Sequence, residues 1–189
     1  MGKKFRKSII VTVAVILIAM FGFSAAAQEN EKSLDVLFVH DTHSHLKEFA
    51  TVEDGESQVL GGFAKIKTLI NEKKAENPDT LILDAGDFSM GTLIQVVFEE
   101  EASEIRMLGN LGVEVTTLGN HEFDYRAKGL ANMMNNAVAS GDVLPEMVIS
   151  NVDWDAMKAA GLTEEQQLLL DAFENYGVKE YVVLEKDGI

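Results

Sequence analysis

The sequence of 189 residues contains no cysteine and few basic residues. Without cysteine the chain forms no disulfide bonds, so its stability has to come from a hydrophobic core or from bound metal. Lysine and arginine total 16, against 31 aspartates and glutamates. Such an acidic chain is a poor match for nucleic acid polymers and anionic lipid. The sequence also lacks low-complexity tracts and repeats, which indicates an ordinary globular protein.

A long apolar run lies near the N terminus, at residues 9–23. Small residues suited to cleavage follow it, and four basic residues precede it: Lys3, Lys4, Arg6 and Lys7. We therefore predict a secretory signal peptide at residues 1–27, and export to the periplasm, cell wall or extracellular space. The alternative is an uncleaved membrane anchor, but a spanning helix needs about 20 apolar residues. No cysteine follows the run, which excludes lipid attachment there.

Removal of this signal leaves residues 28–189, a length that suits one domain. In that part 12 basic residues stand against 31 acidic ones, for a net charge of −19. We expect no stable membrane span after cleavage. A nucleotide as a small substrate is compatible with this charge only if cations screen the site locally.

Three apolar runs end in residues that can bind a cation or transfer a proton. Residues 34–39, 80–83 and 113–118 each have the composition of a buried strand. The groups that follow them are Asp41 with His43, then Asp87, then Asn120 with His121 and Asp124. In open α/β sheets, ligands bind at the carboxyl ends of the strands. The sequence therefore predicts an α/β fold that presents these side chains along one edge of its sheet.

Periodicity predicts the remaining elements. We expect helices between Gly62 and Asn77 and at about residues 92–108 and 127–140, strands at 147–149 and 181–184, and a surface loop at 47–60. Residues 153–175 are interpreted as helical and peripheral. We interpret four glutamates as the solvated face of a helix: Glu99, Glu100, Glu101 and Glu104. The hairpin signal at 187–188 has no second strand after it, so we expect the chain to stop within a domain.

Each strand-end group has its own chemistry. Asp41 and His43 lie two residues apart, so both can reach one cation from an extended segment. Asp87 follows a glycine at a turn, where its two oxygens could each bind a different metal ion. Asn120 offers a neutral oxygen, His121 can donate a proton or hydrogen bond to a phosphoryl oxygen, and Asp124 can orient the imidazole.

Taken singly, these patterns are more often structural. An Asp-x-His pair is usually a solvated loop, Gly-Asp a turn, and Asn-His-Glu a helix cap. Their joint placement at the ends of successive buried strands favours one common site. Two further histidines are interpreted differently: His40 packs at the end of its strand, and a role for His45 in the site is the less favoured alternative.

Together these motifs resemble those of the calcineurin-like metallophosphoesterases. Within them the chain is most similar to the secreted bacterial 5'-nucleotidase family, which includes UDP-sugar hydrolases and 2',3'-cyclic-nucleotide phosphodiesterases. The motifs that carry the resemblance are residues 41–45, 61–64, 83–87 with Gly91, and 117–124. It implies a four-layer α-β-β-α sandwich, of which residues 28–189 would be the first half, without the C-terminal nucleotide-binding domain.

The resemblance also implies roles for individual residues. Two divalent metal ions, of Zn, Mn, Mg or Ca, are expected. Asp41 and His43 would bind the first, Asn120 would bind the second, and Asp87 would bridge both. His121 would stabilise the transition state with Asp124 as its partner, while a metal-activated water attacks the phosphorus of a nucleotide in line. The implied activity is metal-dependent hydrolysis of the 5'-nucleotidase type.

The family completes its metal site with histidines from the second half of the domain, and no histidine follows His121 here. Asp87 and Asn120 are too few ligands to hold the second metal tightly, so we expect the 189 residues alone to have little or no activity. Alternatives within the fold are a cyclic-nucleotide phosphodiesterase, a UDP-sugar hydrolase or a sulfur-ester hydrolase. An alternative of another class is a non-catalytic, exported metal-binding domain.

Overall fold

Strands and helices alternate along residues 32–189, the part of the chain that the computed structural model describes; the predicted signal peptide lies outside it. The strands are β1 (Val36–Val39), β2 (Glu48–Glu53), β3 (Glu56–Gly61), β4 (Leu81–Asp84), β5 (Val115–Thr116) and β6 (Glu146–Met147). The helices are α1 (Phe63–Glu76), α2 (Phe98–Glu101), α3 (Ser103–Leu111), α4 (Arg126–Ser140), α5 (Trp154–Ala160) and α6 (Glu164–Tyr176). Short 3-10 helices occur at Leu93–Val97 and His121–Tyr125.

The main sheet is parallel, with its strands in the order β1-β4-β5-β6. Val39 lies opposite Asp84, and Leu83 lies opposite Val115. Because all four strands run in the same direction, their carboxyl ends meet at one edge of the sheet. The α/β fold predicted from the sequence is confirmed. Residues 32–189 contribute one such sheet, as the first half of the predicted sandwich would.

The core lies between the sheet and helices α3, α4 and α6. Seven of its fully buried side chains come from β4, β6, α3 and α4: Ile82, Ile105, Leu108, Leu130, Met133, Met134 and Met147. Helix α4 packs along α6, which begins with a capping box formed by Thr163 and Gln166. The prediction that residues 153–175 are peripheral is therefore wrong for α6, because Leu169 and Phe173 are buried in the core.

The predicted surface loop at residues 47–60 is instead an antiparallel hairpin of β2 and β3. Glu53 pairs with Glu56 around a turn at Asp54 and Gly55, both of which have positive φ. Asp-Gly is the residue pair that such tight turns favour. Most residues of both strands are exposed, so the sequence carries no burial pattern from which the strands could be predicted.

The helix predicted at residues 92–108 is broken into three pieces. A 3-10 turn leads into α2, and Ala102 then adopts a left-handed conformation, with φ 46° and ψ 38°, before α3 begins. The break turns Glu104 into the protein, where it is fully buried. Its carboxylate accepts hydrogen bonds from the hydroxyls of Ser44 and Ser103, both at 2.7 Å. The interpretation of Glu104 as part of a solvated face is therefore wrong.

The predicted strands at both ends of the sheet also differ from the structure. The composition of residues 34–39 predicts a buried strand, but Phe38 is 60% exposed, because β1 is an edge strand whose outer face is left open by the described residues. Residues 181–184 form no strand, and Val183 is 85% exposed. In this region Lys179 forms an isolated bridge with Val148. β5 and β6 are each two residues long, shorter than predicted.

Arg126, at the start of α4, has φ 57° and ψ 179°, a conformation that is essentially restricted to glycine. We predict that Arg126→Gly raises the free energy of unfolding by about 1 kcal/mol, because it relieves this strain at some cost in unfolded-chain entropy. Ala127→Gly, one residue further along the same helix, is the matched control and should lose about 0.5–1 kcal/mol. Urea unfolding of both variants tests this, and an equal loss in both would show that Arg126 is unstrained.

Candidate metal centre

Loops that follow β1, β4 and β5 meet at the carboxyl edge of the sheet. Backbone hydrogen bonds join the first loop to the second: Asp41 N–H donates to the Gly86 carbonyl and His43 N–H donates to the Asp87 carbonyl, both at 3.1 Å. These bonds exist because β1 and β4 are neighbours and their loops leave the sheet side by side. The strand order therefore brings the sequence-predicted residues into one place.

His43, Asp87 and His121 each present a ligand atom, and these atoms all lie within 4.8 Å of one another. The Nδ1 of His43 donates to the carbonyl oxygens of Met90, at 2.9 Å, and Ser89, at 3.2 Å. This arrangement fixes the tautomer and leaves Nε2 as the free lone pair. The rings of His43 and His121 meet edge to face, with centroids 5.0 Å apart.

Asp41 lies next to this group, with its Oδ1 3.5 Å from His43 Nε2. Its other carboxylate oxygen accepts a hydrogen bond of 2.7 Å from His40. That bond holds the pKa of Asp41 below its usual value. His40 thus contacts a site residue and is exposed, where the sequence suggested packing at the strand end. His45 contacts the carbonyl of Thr42 at 3.3 Å and the ring of Phe49.

Asp87 and Asn120 lie together at the centre of the site. The Oδ1 of Asp87 accepts a hydrogen bond of 2.9 Å from the His121 N–H. One end of the Asn120 amide lies 3.2 Å from Asp87 Oδ2. If the amide nitrogen is at that end, it donates to the carboxylate. If the amide oxygen is there, two oxygens face each other, which is stable only with a cation between them.

His121 is paired with Asp124 by a hydrogen bond of 2.7 Å from Nδ1 to Oδ2. The spacing of three residues places the two side chains on one side of the 3-10 helix His121–Tyr125. The hydrogen bond to Asp124 raises the pKa of His121 above its usual value. The imidazole therefore keeps its positive charge to higher pH than a free histidine, and its other nitrogen is left to face the site.

Five non-glycine residues of the first two loops have left-handed backbone conformations. They are Asp41 (φ 49°), His43 (φ 44°), Ser44 (φ 55°), Asp87 (φ 52°) and Met90 (φ 62°). Such conformations are costly and persist where the surrounding structure enforces them, which is common at functional sites. Three of the five, Asp41, His43 and Asp87, are predicted metal ligands.

Sequence reasoning missed two buried carboxylates beside the site, Glu104 and Glu122, both fully buried. Glu104 contacts Ser44, the residue after His43. Glu122 lies within the same motif as Asn120 and His121, and this position was the only signal for it in the sequence. Each also has a partner in a loop far away along the chain, Ser44 for Glu104 and Ser89 for Glu122, which a local pattern does not reveal.

Asp84 lies at the end of β4 below the site, 5% exposed, and burial raises the pKa of its carboxyl to about 6. Its Oδ2 accepts hydrogen bonds from Gly86 N–H, at 2.9 Å, and Thr116 Oγ1, at 2.6 Å. In the unfolded chain the pKa is near 3.8. Between these two values the folded chain holds a proton that the unfolded chain has lost, so this group makes stability fall as the pH rises from about 4 to about 6.

We predict that Asp84→Asn removes this fall, which amounts to about 3 kcal/mol for a pKa difference of this size. The measurement is urea unfolding, after a chelator has removed any metal, at pH 4.5 and pH 7.5, an interval that contains about 2 kcal/mol of this fall. The variant of an exposed aspartate, Asp79→Asn, is the control. Between pH 4.5 and pH 7.5 the free energy of unfolding should fall less in the Asp84 variant than in wild type or in the control. The same pH dependence in all three proteins would contradict the assigned cause.

The donor set fits a divalent metal. It combines imidazole nitrogen with carboxylate and amide oxygens, which suits zinc and manganese. The orientation of His43 by two carbonyl oxygens is the kind of support that metal-bound histidines have in proteins. The six predicted site residues are brought together in one contiguous group: Asp41, His43, Asp87, Asn120, His121 and Asp124.

A search of protein families gives a match to the calcineurin-like phosphoesterases over residues 34–180, most of the chain. The chain belongs to this family. This match covers the whole of the parallel sheet and all three loops of the site. The resemblance stated from the motifs is thereby confirmed, and the family is one of phosphoester hydrolases that use divalent metals.

Several similar proteins of known name are nucleotidases. The chain is 33% identical over 119 residues to a probable 5'-nucleotidase of Treponema pallidum, covering 59% of this chain and 20% of the relative. It is 30% identical over 158 residues to a 5'-nucleotidase of Bos taurus, covering 78% and 26%. An NAD 5'-nucleotidase of Haemophilus influenzae is 32% identical over 121 residues, covering 60% and 20%. The chain thus spans about a fifth to a quarter of the length of these relatives.

The fold of a solved family member agrees with these matches. The crystal structure of a 5'-nucleotidase precursor from Thermus thermophilus superposes with a TM-score of 0.59 at 27% identity, covering 82% of this chain and 26% of that one. The α/β architecture is therefore that of calcineurin-like phosphoesterase structures. Among residues 32–189, none of the helices combines the length and the hydrophobicity that a membrane span requires.

Proposed function

We propose that this protein is a metal-dependent phosphohydrolase of the 5'-nucleotidase type, which removes phosphate from nucleotides. The observation that carries the proposal is the convergence of His43, Asp87 and His121 at the carboxyl edge of the sheet, with ligand atoms within 4.8 Å of one another. The names of the relatives, which are nucleotidases, support the choice of substrate. The phosphoesterase family supports the reaction class.

Two divalent metals would be held by this chain's residues: Asp41 and His43 for the first, Asn120 for the second, and Asp87 for both. When bound, such ions supply Lewis acidity and lower the pKa of water to near neutrality. Asp87 is suited to a bridging role because one oxygen is fixed by the His121 N–H and the other points to Asn120. His43 is suited to coordination because its Nδ1 is already used by carbonyl oxygens.

His121 would act on the phosphoryl group directly, with Asp124 as its partner. The carboxylate of Asp124 fixes the imidazole and keeps it protonated to higher pH. A protonated Nε2 can donate a hydrogen bond to a phosphoryl oxygen as negative charge develops there, or give a proton to the leaving group. This role leaves His121 free of metal, although its ligand atom is near those of His43 and Asp87.

We further propose that residues 1–27 direct export, and that residues 28–189 are the N-terminal part of a metallophosphoesterase domain. The share of each relative that the chain covers, about a fifth to a quarter, supports the second statement. On this proposal the second metal receives further ligands from outside the described residues, since Asp87 and Asn120 alone are too few for tight binding.

The test is hydrolysis by the full-length gene product, stripped with a chelator and then supplied with Mn²⁺ or Zn²⁺. AMP, NAD, 2',3'-cyclic AMP, UDP-glucose and p-nitrophenyl sulfate are the substrates to compare. We expect AMP to be hydrolysed only after metal is restored. If another phosphate substrate is hydrolysed faster than AMP, that compound replaces nucleotide monophosphates as the proposed substrate. Hydrolysis of the sulfate alone would exclude a phosphohydrolase. Metal binding without hydrolysis of any ester would favour a non-catalytic metal-binding domain.

A further inference from the structure

Glu122 is fully buried, and its carboxylate accepts four hydrogen bonds. The Oε2 atom accepts from the N–H groups of Asp87, at 3.1 Å, and Gly119, at 2.8 Å. The Oε1 atom accepts from the N–H and the hydroxyl of Ser89, both at 2.9 Å. A buried carboxylate is stable only when its lone pairs are satisfied, and here backbone N–H groups and a hydroxyl satisfy them.

These donors belong to two different loops. Asp87 and Ser89 lie in the loop after β4, and Gly119 lies in the loop after β5 that leads to Asn120 and His121. Glu122 is thus a bridge across the site, and its Oε2 alone holds one N–H from each loop. The bridge sets the distance between the Asp87 backbone and the segment that carries Asn120 and His121.

Glutamate is the residue that fits this arrangement. Its ionised side chain accepts at both oxygens and donates at neither. Glutamine has the same shape, but its NH₂ group would face N–H or hydroxyl donors at one of the two positions and lose the hydrogen bonds there. The cost is large because the position is fully buried and water cannot replace the lost partner.

We propose that Glu122 is a positioning residue for the metal centre, acting through Asp87. It fixes Asp87 against Asn120 and His121 and touches neither metal nor substrate. The inference rests on the proposed function, because it assumes that Asp87 binds metal. A role for Glu122 in proton transfer does not fit, since both oxygens are occupied by donors and the residue has no exposed surface.

The test compares Glu122→Gln with Glu100→Gln, which changes an exposed glutamate in the same way. Titration calorimetry of the full-length gene product with Mn²⁺ should show a roughly 10- to 100-fold loss of affinity for the Glu122 variant, the range seen for outer-shell partners of metal ligands. The Glu100 control should bind as wild type does. Ser89→Ala removes only the hydroxyl donor and should give a smaller loss.

Two further readouts separate positioning from general destabilisation. After a chelator has removed the metal, amide hydrogen exchange at Asp87, Ser89 and Gly119 should be faster in the Glu122 variant than in wild type. The buried amides of α6 should keep their protection. In the full-length gene product, saturating Mn²⁺ should restore most of the wild-type kcat, because the catalytic groups are intact. If Glu122→Gln does not fold, Glu122→Asp keeps the charge but shortens the reach, and the same measurements apply to it.

The outcomes distinguish the two proposals. If wild type binds no Mn²⁺, the proposed function fails and this inference fails with it. If wild type binds Mn²⁺ and a folded Glu122→Gln binds it equally well, only the inference is overturned. Lost turnover that saturating metal does not restore would also overturn it, because Glu122 would then act in the chemistry itself.

Discussion

Gly119→Ala is expected to lower the affinity for Mn²⁺ by roughly 100-fold or more, beyond the usual effect of an outer-shell change. A Cβ atom at this position would collide with the Asp87 carboxylate and lie 2.6 Å from the Asp87 backbone nitrogen. The backbone of Gly119 is not in the left-handed region, so space and not conformation excludes a side chain. The alanine would displace the residue assigned to both metals. Titration calorimetry of the purified protein measures the effect.

Gly141→Ala is the matched control for this prediction. Gly141 has φ +71°, and a Cβ there would meet nothing within 4 Å. Its alanine variant should lose stability from backbone strain but keep its metal affinity. Asp87→Asn is a companion variant that removes charge without adding bulk, and it should weaken binding similarly. Unchanged affinity in folded Gly119→Ala would show that the metal is bound elsewhere.

His121→Ala is expected to lower kcat on AMP by about 10²- to 10⁴-fold, the range for loss of a general acid or base. The assigned role is charge stabilisation and proton donation, so metal content should remain that of wild type. Both quantities need the full-length gene product, with kcat measured at saturating metal and metal content measured by mass spectrometry. Lys128→Ala, an exposed change on the neighbouring helix, is the control and should alter neither.

The geometry makes this experiment decisive for His121, because its ligand atom lies within 4.8 Å of those of His43 and Asp87. A histidine at that distance could bind metal as well as substrate. Loss of metal from His121→Ala would show that His121 is a metal ligand. Another residue would then have to stabilise the phosphoryl group.

The location of the site could be predicted from sequence because the carboxyl ends of neighbouring parallel strands lie at the same edge of a sheet. Three apolar runs with polar ends were enough to expect that Asp41, Asp87 and Asn120 lie at one sheet edge, once the strands were taken to be neighbours. The contact between His121 and Asp124 is local, since a spacing of three residues brings them to 2.7 Å. Predictions of this kind depend on short range or on sheet topology, both of which leave a pattern in the sequence.

The buried carboxylates left no such pattern. Glu104 contacts Ser44, 60 residues away, and Glu122 contacts Ser89, 33 residues away. In a sequence with 31 acidic residues, each looks like another solvated side chain. Their burial depends on loops packed across the site, so only the folded chain reveals it. The break at Ala102 is a further case, because a non-glycine residue in a left-handed conformation has no sequence signature.

The errors in predicting the fold from sequence have similar causes. The hairpin of β2 and β3 has exposed faces, so period-2 alternation, on which strand prediction depends, is missing. The opposite error occurred at β1, where an apolar composition predicted burial but Phe38 is exposed on the open side of the edge strand. Composition reports what a strand can bury, whereas burial also depends on which neighbours are present.

The central claim is that the loops after β1, β4 and β5 form a divalent-metal centre around Asp87. The most direct test is a crystal structure of the full-length gene product soaked in Mn²⁺, with anomalous difference maps to locate the metal. The account predicts a peak bound by Asp87 together with Asp41 and His43, and a second peak bound by Asp87 together with Asn120. Anomalous peaks only at other positions, at saturating Mn²⁺, would contradict it.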